Sequence, residues 1–212
     1  MPFDFRLPRV YPLTDVRLSG FSHADQVRLL SLGGASLIQL REKHQPAIQF
    51  YEQVRAAVSE ARKRGVQIII NDRVDIALAC GAHGVHLGQD DMPPDAARRL
   101  LGQKVIIGYS THSVDQAQKA LLLPIDYIAI GPIFNTSTKG DTSPAVGLEG
   151  LREVRKIVGD FPLVAIGGIS VSNAAAVIEA GADSVALISA LLSAGERITE
   201  VTRTLVQSLN SA

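Results

Sequence analysis

The sequence predicts an α/β fold, a closed (β/α)8 TIM barrel in a single domain, and three observations carry that prediction. Eight short apolar runs, at 10–13, 37–40, 67–70, 85–87, 105–108, 125–130, 163–166 and 184–187, alternate with segments of helical spacing. The runs are mainly apolar and do not alternate, as expected of strands buried on both faces. Three helix-to-strand junctions share one punctuation, Gly33-Gly34-Ala35, Gly81-Ala82-His83 and Gly181-Ala182-Asp183. A helix that ends on a left-handed glycine and drops at once into a strand accounts for it. With 212 residues the chain lies near the small end of the range for such barrels. An open doubly wound sheet is the alternative, but the G-x-G-x-x-G turn it would need is missing after the first run.

The elements follow in order. Residues 1–9 are an N-terminal arm leading into the first run, which leaves into Thr14-Asp15. Ser22 opens a helix carrying Val27, Leu29 and Leu30, stopped at Gly33-Gly34. The second run leaves into Arg41-Glu42-Lys43. Pro46 then opens a long helix in which Ile48, Phe50, Tyr51, Val54, Ala57, Val58 and Ala61 recur at helical spacing as far as Gly65. The third run leaves into Asn71-Asp72, a helix over 74–80 closes at Gly81, and the fourth run leaves into Gly88-Gln89-Asp90-Asp91. Pro93-Pro94 starts the next helix, which ends at Gly102. The fifth run leaves into Tyr109-Ser110-Thr111-His112-Ser113, ahead of a helix with Val114, Ala117, Ala120 and Leu121. The sixth leaves into the longest loop, 131–144, and Leu148, Leu151, Val154 and Ile157 mark the helix beyond it. The seventh leaves into Gly167-Gly168, and Ser172 or Asn173 caps a helix through Val177-Ile178. The eighth leaves into Ile188-Ser189, followed by a terminal helix to about residue 209.

Composition removes several function classes. Lys plus Arg number 21 and Asp plus Glu number 21, so the formal net charge is zero and a general nucleic-acid or polyanion surface is not expected. No apolar stretch approaches the roughly 20 residues that span a bilayer, and the opening residues lack a signal-peptide core. The one cysteine, Cys80, reads as a small buried hydrophobe, and a cytoplasmic setting is expected.

In a closed barrel all strand C-termini open on one face, where chemistry is placed. Seven exits would therefore converge: Arg41 and Lys43; Asn71 and Asp72; Gln89 and Asp91; Ser110 and His112; Thr136, Thr138 and Lys139; Gly167-Gly168; and Ser189. Arg41, Lys43 and Lys139 suit a polyanionic small molecule. Asp72 and Asp91 sit on adjacent exits of one strand–helix–strand unit, so their carboxylates could face one point. Mg²⁺ commonly takes one or two carboxylates and leaves its other positions to phosphate and water. Together these point to a metal–pyrophosphate. Each has a structural alternative: Asp72 as an N-cap for the helix over 74–80, and Asp90 or Asp91 as a cap for the helix at Pro93-Pro94. Spacing does not choose between Asp90 and Asp91. Gly167-Gly168 admits close backbone approach, and the N–H groups opening at Ile188-Ser189 suit an anion. The mouth thus reads as bipolar, a metal–pyrophosphate end and a monophosphate end. His112 reads as a hydrogen-bonded structural histidine rather than a general acid–base.

These exits resemble the thiamine-phosphate synthase family. The resemblance rests on Gln39-Leu40-Arg41-Glu42-Lys43, Asn71-Asp72-Arg73, Gly84 through Asp91, Ser110-Thr111-His112-Ser113, Gly131 through Lys139 and Ile166-Gly167-Gly168-Ile169, six motifs in order over almost the whole chain. It implies a transferase that joins 4-amino-5-hydroxymethyl-2-methylpyrimidine diphosphate to a thiazole phosphate, giving thiamine phosphate and pyrophosphate. It implies Gln39, Arg41, Lys43 and Asn71 as the pyrimidine-diphosphate set, Asp72 and Asp91 (rather than Asp90) as Mg²⁺ ligands, and Ser110 and Lys139 on the pyrophosphate. Arg41, Lys43, Ser110 and Lys139 would be the catalytic group. Thr136, Thr138, Gly168, Ile188 and Ser189 resemble thiazole-phosphate and product contacts. The partners implied are these small molecules, with no nucleic acid or membrane, and a homo-oligomer is an open expectation.

One departure is visible. The family often has Pro where this chain has Asn135, which changes the stiffness of the 131–144 loop but removes no charge. A thiazole tautomerase resembles the chain in Arg41-Glu42-Lys43 and Ser110 to Ser113, but its proton-transferring His falls where this chain has Pro132. Another phosphate-handling barrel would explain Gly167-Gly168 and Ser189 but not the acid pair beside Arg41 and Lys43. A non-catalytic phosphate-ligand-binding barrel is the alternative of a different class.

Overall fold

A computed structural model describes residues 5–136 and 144–211. The strands are β1 (Val10–Thr14), β2 (Leu37–Leu40), β3 (Gln67–Asn71), β4 (Gly84–Leu87), β5 (Ile106–Thr111), β6 (Tyr127–Ile130), β7 (Leu163–Ile166) and β8 (Ser184–Leu187). All pairings are parallel, β8 returns to β1, and the sheet closes in sequence order. The helices of the outer ring are α1 (Val16–Ser19), α2 (His23–Leu32), α3 (Ala47–Arg64), α4 (Val74–Cys80), α5 (Pro94–Leu101), α6 (Val114–Ala120), α7 (Gly147–Val158), α8 (Ala174–Glu179), α9 (Ser189–Leu192) and α10 (Ile198–Asn210).

The apolar runs close the barrel because a parallel strand under a helix has no solvent face. All the residues of β1, β2, β4, β6 and β8 are buried. In α3 the buried set is Phe50, Val54, Ala57, Val58 and Ala61, one stripe facing the sheet. Full burial of such side chains is worth roughly 1.5–3 kcal/mol each, so this stripe holds α3 without help from an N-cap side chain, which Pro46 does not supply.

The punctuated junctions have a second function at the base of the barrel. Gly34, Gly81 and Gly181 all have positive φ, as expected. The residue that precedes each even strand from β4 on reaches back to the strand before it. His83 Nδ1 accepts from Ile68 N at 3.1 Å, Asp126 Oδ2 from Ile107 N at 2.7 Å, and Asp183 Oδ2 from Leu163 N at 2.8 Å. Arg98 of α5 and Arg155 of α7 each donate to the acid concerned, at 2.7 and 2.6 Å. An N–H at the start of each of β3, β5 and β7 is thereby satisfied.

The elements differ from expectation at several places, and Asn173 stands at the N-cap of α8 without a side-chain cap bond. The fifth strand runs to Thr111, because β4 and β6 continue the ladder (Leu87 opposite Tyr109, Thr111 opposite Ile130) through residues polar enough to read as a loop. The sixth begins at Tyr127, because Ile125 is held in a turn by its N–H to Leu123 O. The terminal helix is broken: α9 stops at Leu192, a 3-10 turn spans Gly195–Arg197 with Gly195 at φ 57°, and α10 resumes. The short α1 is new, capped by Asp15, whose Oδ1 accepts from Leu18 N. In the arm, Phe5 lies 6.2 Å from the Tyr127 ring centroid. Among the described residues no helix is long and apolar enough to cross a membrane.

Candidate functional site

The strand exits meet at one mouth. Its largest cavity, about 520 Å³, is lined by Arg41, Lys43, Asn71, Asp72, His86, Gly88, Gln89, Asp90, Asp91, Ser110 and His112. Two smaller hollows continue from it. One lies between Ser110, His112, Pro132, Thr136 and Gly167, the other between Thr136, Gly167, Gly168, Ile188 and Ser189.

Arg41 leaves β2 almost fully buried and is held by Asp15, Nη1 to Oδ2 at 2.9 Å. Its backbone N donates to Thr14 Oγ1. Asp15 was not among the expected site residues, although Thr14-Asp15 closes the first apolar run as the other exits do. The next turn is organised by Glu42, whose Oε1 accepts the N–H groups of Lys43, His44 and Gln45. That nest directs Lys43 across the mouth, Nζ to Asp72 Oδ2 at 2.5 Å.

Asp72 is not a helix cap. The N-cap position of α4 is Arg73, with no side-chain cap bond. Asp72 is instead the one non-glycine residue with positive φ among the described residues, at 64°. Asp tolerates that conformation at a cost of order 1 kcal/mol. The bend lets its N–H donate to His86 O at 2.8 Å, tying the β3 exit to β4. Burial raises the Asp72 carboxyl above its ordinary value; Lys43 draws it down, and Asp91, near enough for the two carboxyls to interact, pushes it up. Asp91 Oδ2 accepts from Gly88 N at 2.7 Å, and the N-cap position of α5 is Pro93, so neither Asp90 nor Asp91 caps that helix by its side chain. No group of three or more His, Cys, Asp or Glu converges among the described residues. Two carboxylates beside a cavity of this size fit a cation whose other ligands come from substrate and water, as Mg²⁺ prefers.

Asn71 is buried, and its Nδ2 has no partner among the described residues, a donor left open beside the cavity. Gln39 lies one layer down, 2% exposed, with Nε2 donating to Tyr11 at 3.0 Å. Ser110, on β5 rather than in a loop, pairs with His86 Nε2 at 2.8 Å, and Gln89 Nε2 donates to Ser110 O. His112 Nδ1 donates to Gly131 O at 2.6 Å and its backbone N to Gln116 Oε1. It anchors the start of the 131–144 loop, which agrees with the structural reading.

At the other end, Thr136, Gly168, Ile188 and Ser189 line one hollow, although α9 is only four residues long. Gly167 and Gly168 also make room for the loop after β6. A Cβ on Gly167 would lie 2.6 Å from Pro132 Cα, and one on Gly168 would lie 2.8 Å from Phe134 O. Thr138 and Lys139 fall outside the described residues.

The family model for thiamine monophosphate synthase matches residues 10–191, from the start of β1 into α9. The chain belongs to the thiamine monophosphate synthase family. It is 47% identical over 189 residues to the thiamine-phosphate synthase of Chloroflexus aurantiacus, covering 89% of this chain and 87% of that one. It is 48% identical over 187 residues to the thiamine-phosphate synthase of Albidiferax ferrireducens, covering 88% and 85%. The thiamine phosphate pyrophosphorylase structure from Pyrococcus furiosus superposes with a TM-score of 0.85 at 35% identity, over 95% of this chain and 96% of that one. The matched span takes in every described strand exit of this thiamine monophosphate synthase family chain.

Proposed function

We propose that this chain joins 4-amino-5-hydroxymethyl-2-methylpyrimidine diphosphate to 4-methyl-5-(2-phosphoethyl)thiazole, forming thiamine phosphate and releasing pyrophosphate. The observation that supports it most is the arrangement at one cavity of Asp72 and Asp91, with Lys43 on Asp72 and Arg41 beside them. Anionic carboxylates and cations alternate there, as a metal–diphosphate complex requires.

The chemistry breaks the C–O bond between the pyrimidine methylene and the diphosphate, and the electron pair leaves with pyrophosphate. The thiazole nitrogen then gives its lone pair to the methylene carbon. No proton changes hands, so no general base is needed, consistent with the structural engagement of His112. Arg41 and Lys43 stabilise charge as it develops on the leaving group, and Ser110 hydrogen-bonds it. Lys139 is assigned the same role from its place in the family's motif. Asn71 offers its open N–H to a diphosphate oxygen. Asp72 and Asp91 would hold Mg²⁺, which when bound neutralises charge on the leaving oxygens. Gln39 contributes from beneath the pyrimidine. Thr136, Thr138, Gly168, Ile188 and Ser189 receive the thiazole phosphate, which places the nucleophile across the mouth from the leaving group.

The test is product formation by the purified chain. Thiamine phosphate should form with both substrates and Mg²⁺ present and not with either substrate alone. No product under those conditions would refute the proposal.

A further inference from the structure

A buried polar chain crosses the barrel beneath the mouth. Gln39 on β2 donates from Nε2 to Tyr11 OH on β1; Tyr11 OH lies 3.0 Å from Tyr127 OH on β6. Tyr127 OH is 2.9 Å from His86 Nδ1 on β4, and His86 Nε2 is 2.8 Å from Ser110 Oγ on β5. Gln39, Tyr11, Tyr127 and His86 are all at most 7% exposed. The rings are packed to suit, Tyr11 edge-on to Tyr127 and His86 stacked on it. The sequence leaves room for them: a Cβ on Gly108 would lie 2.0 Å from Tyr127 Cζ.

We propose that this chain is directional and that His86 is a positioning residue, held as the Nε2–H tautomer so that Ser110 keeps its hydroxyl proton for a diphosphate oxygen. The inference rests on the synthase reading above. Two ends of the chain agree on the direction. A hydroxyl has one proton to give. Tyr11 accepts from the Gln39 amide, so its own proton goes to Tyr127. Tyr127 gives its proton to His86 Nδ1, and the remaining ring proton, on Nε2, is donated to Ser110 Oγ. The Ser110 proton is then free for the mouth. At the other end, diphosphate oxygens only accept, so Ser110 serves them only as a donor. The opposite direction would spend the Ser110 proton on His86 and turn lone pairs toward the anion. Tyr127 and Tyr11 thus act on the leaving group through His86, several ångströms beneath it.

The chain's direction is read on the wild-type protein by ¹⁵N-histidine NMR, with the His86 signal assigned by its loss in His86→Gln. An Nε2–H tautomer is expected, and an Nδ1–H tautomer would overturn the proposal. A double-mutant cycle reads the function. Tyr127→Phe should lower kcat about tenfold, the order of one lost charge-assisted hydrogen bond, but have no further effect in a Ser110→Ala background. Unchanged kcat in Tyr127→Phe, or additive losses in the double variant, would mean that the chain is core structure only. If Tyr127→Phe does not fold, the wild-type tautomer still decides. Failure of the wild-type chain to make thiamine phosphate would sink the synthase reading and leave the tautomer result standing by itself.

Discussion

Lys43 Nζ lies 2.5 Å from Asp72 Oδ2, so an ammonium rests on the carboxylate proposed to hold the metal ion. Lys43 is 44% and Asp72 20% exposed at the side chain, and an ion pair of that kind contributes at most about 1 kcal/mol to stability. Its value lies in gathering positive charge where a leaving diphosphate needs it. Asp72→Asn and Asp91→Asn should each lower kcat by about 10²–10³, the range for a lost transition-state charge contact, while the thermal midpoint stays near wild type. Steady-state kinetics with matched melting curves check this. Near-normal kcat in both variants would remove the acids from the reaction.

The Asp15–Arg41 pair is less exposed, and Asp15 has a second duty as the cap of α1. Asp15→Asn keeps a capping oxygen and removes the charge that aims Arg41. It should lower kcat/KM roughly tenfold, the effect of one weakened charge-assisted hydrogen bond, and less than Arg41→Ala does. The comparison of the two variants checks this. Equal losses would mean that Arg41 has no function beyond pairing with Asp15.

His23 is fully buried, with Nδ1 2.6 Å from Thr14 Oγ1 and Nε2 without a partner among the described residues. Burial lowers its pKa from 6.5 to about 4, against the opposing charges of Glu42 and Asp15. The unfolded chain therefore takes up a proton below pH 6.5 that the folded chain refuses until about pH 4. Stability is fully present above pH 6.5 and falls as pH drops through that window, by about 3 kcal/mol in all. Denaturant titrations at pH 7 and pH 4.5 should show the loss, and His23→Gln should flatten it. An unchanged slope in the variant would contradict the assignment.

Gly108→Ala drives a methyl into the Tyr127 ring, which is fully buried. A destabilisation of at least about 2 kcal/mol is expected from overpacking of this kind. Chemical denaturation measures it, and a loss below about 0.5 kcal/mol would show that the ring has room to move.

Much of the fold was legible because burial on both faces leaves a plain record. The runs at 163–166 and 184–187 coincide with β7 and β8, and Gly34, Gly81 and Gly181 adopt the left-handed conformation that their junctions required. The polar exits of β2, β3, β4 and β5 do line one cavity. Ser110 and Thr111 were hidden because polarity reads as loop while the ladder reads only backbone. Asp72 was ambiguous because a cap and a bent strand exit use the same residue type, and only φ separates them. Asp15 and His86 were hidden for another reason. Their function is defined by Arg41 and Ser110, 26 and 24 residues away in sequence, and no local spacing reports such a contact. Asn135, where the family often has Pro, has no structural consequence visible beside the site.

The most direct measurement is pyrophosphate release by the wild-type chain as Mg²⁺ is titrated with both substrates present. Release should saturate with Mg²⁺, match thiamine phosphate one for one, stop with EDTA and return when Mg²⁺ is restored. Full-rate release in EDTA, or release unaccompanied by thiamine phosphate, would contradict the assignment of Asp72 and Asp91 to a metal-held leaving group.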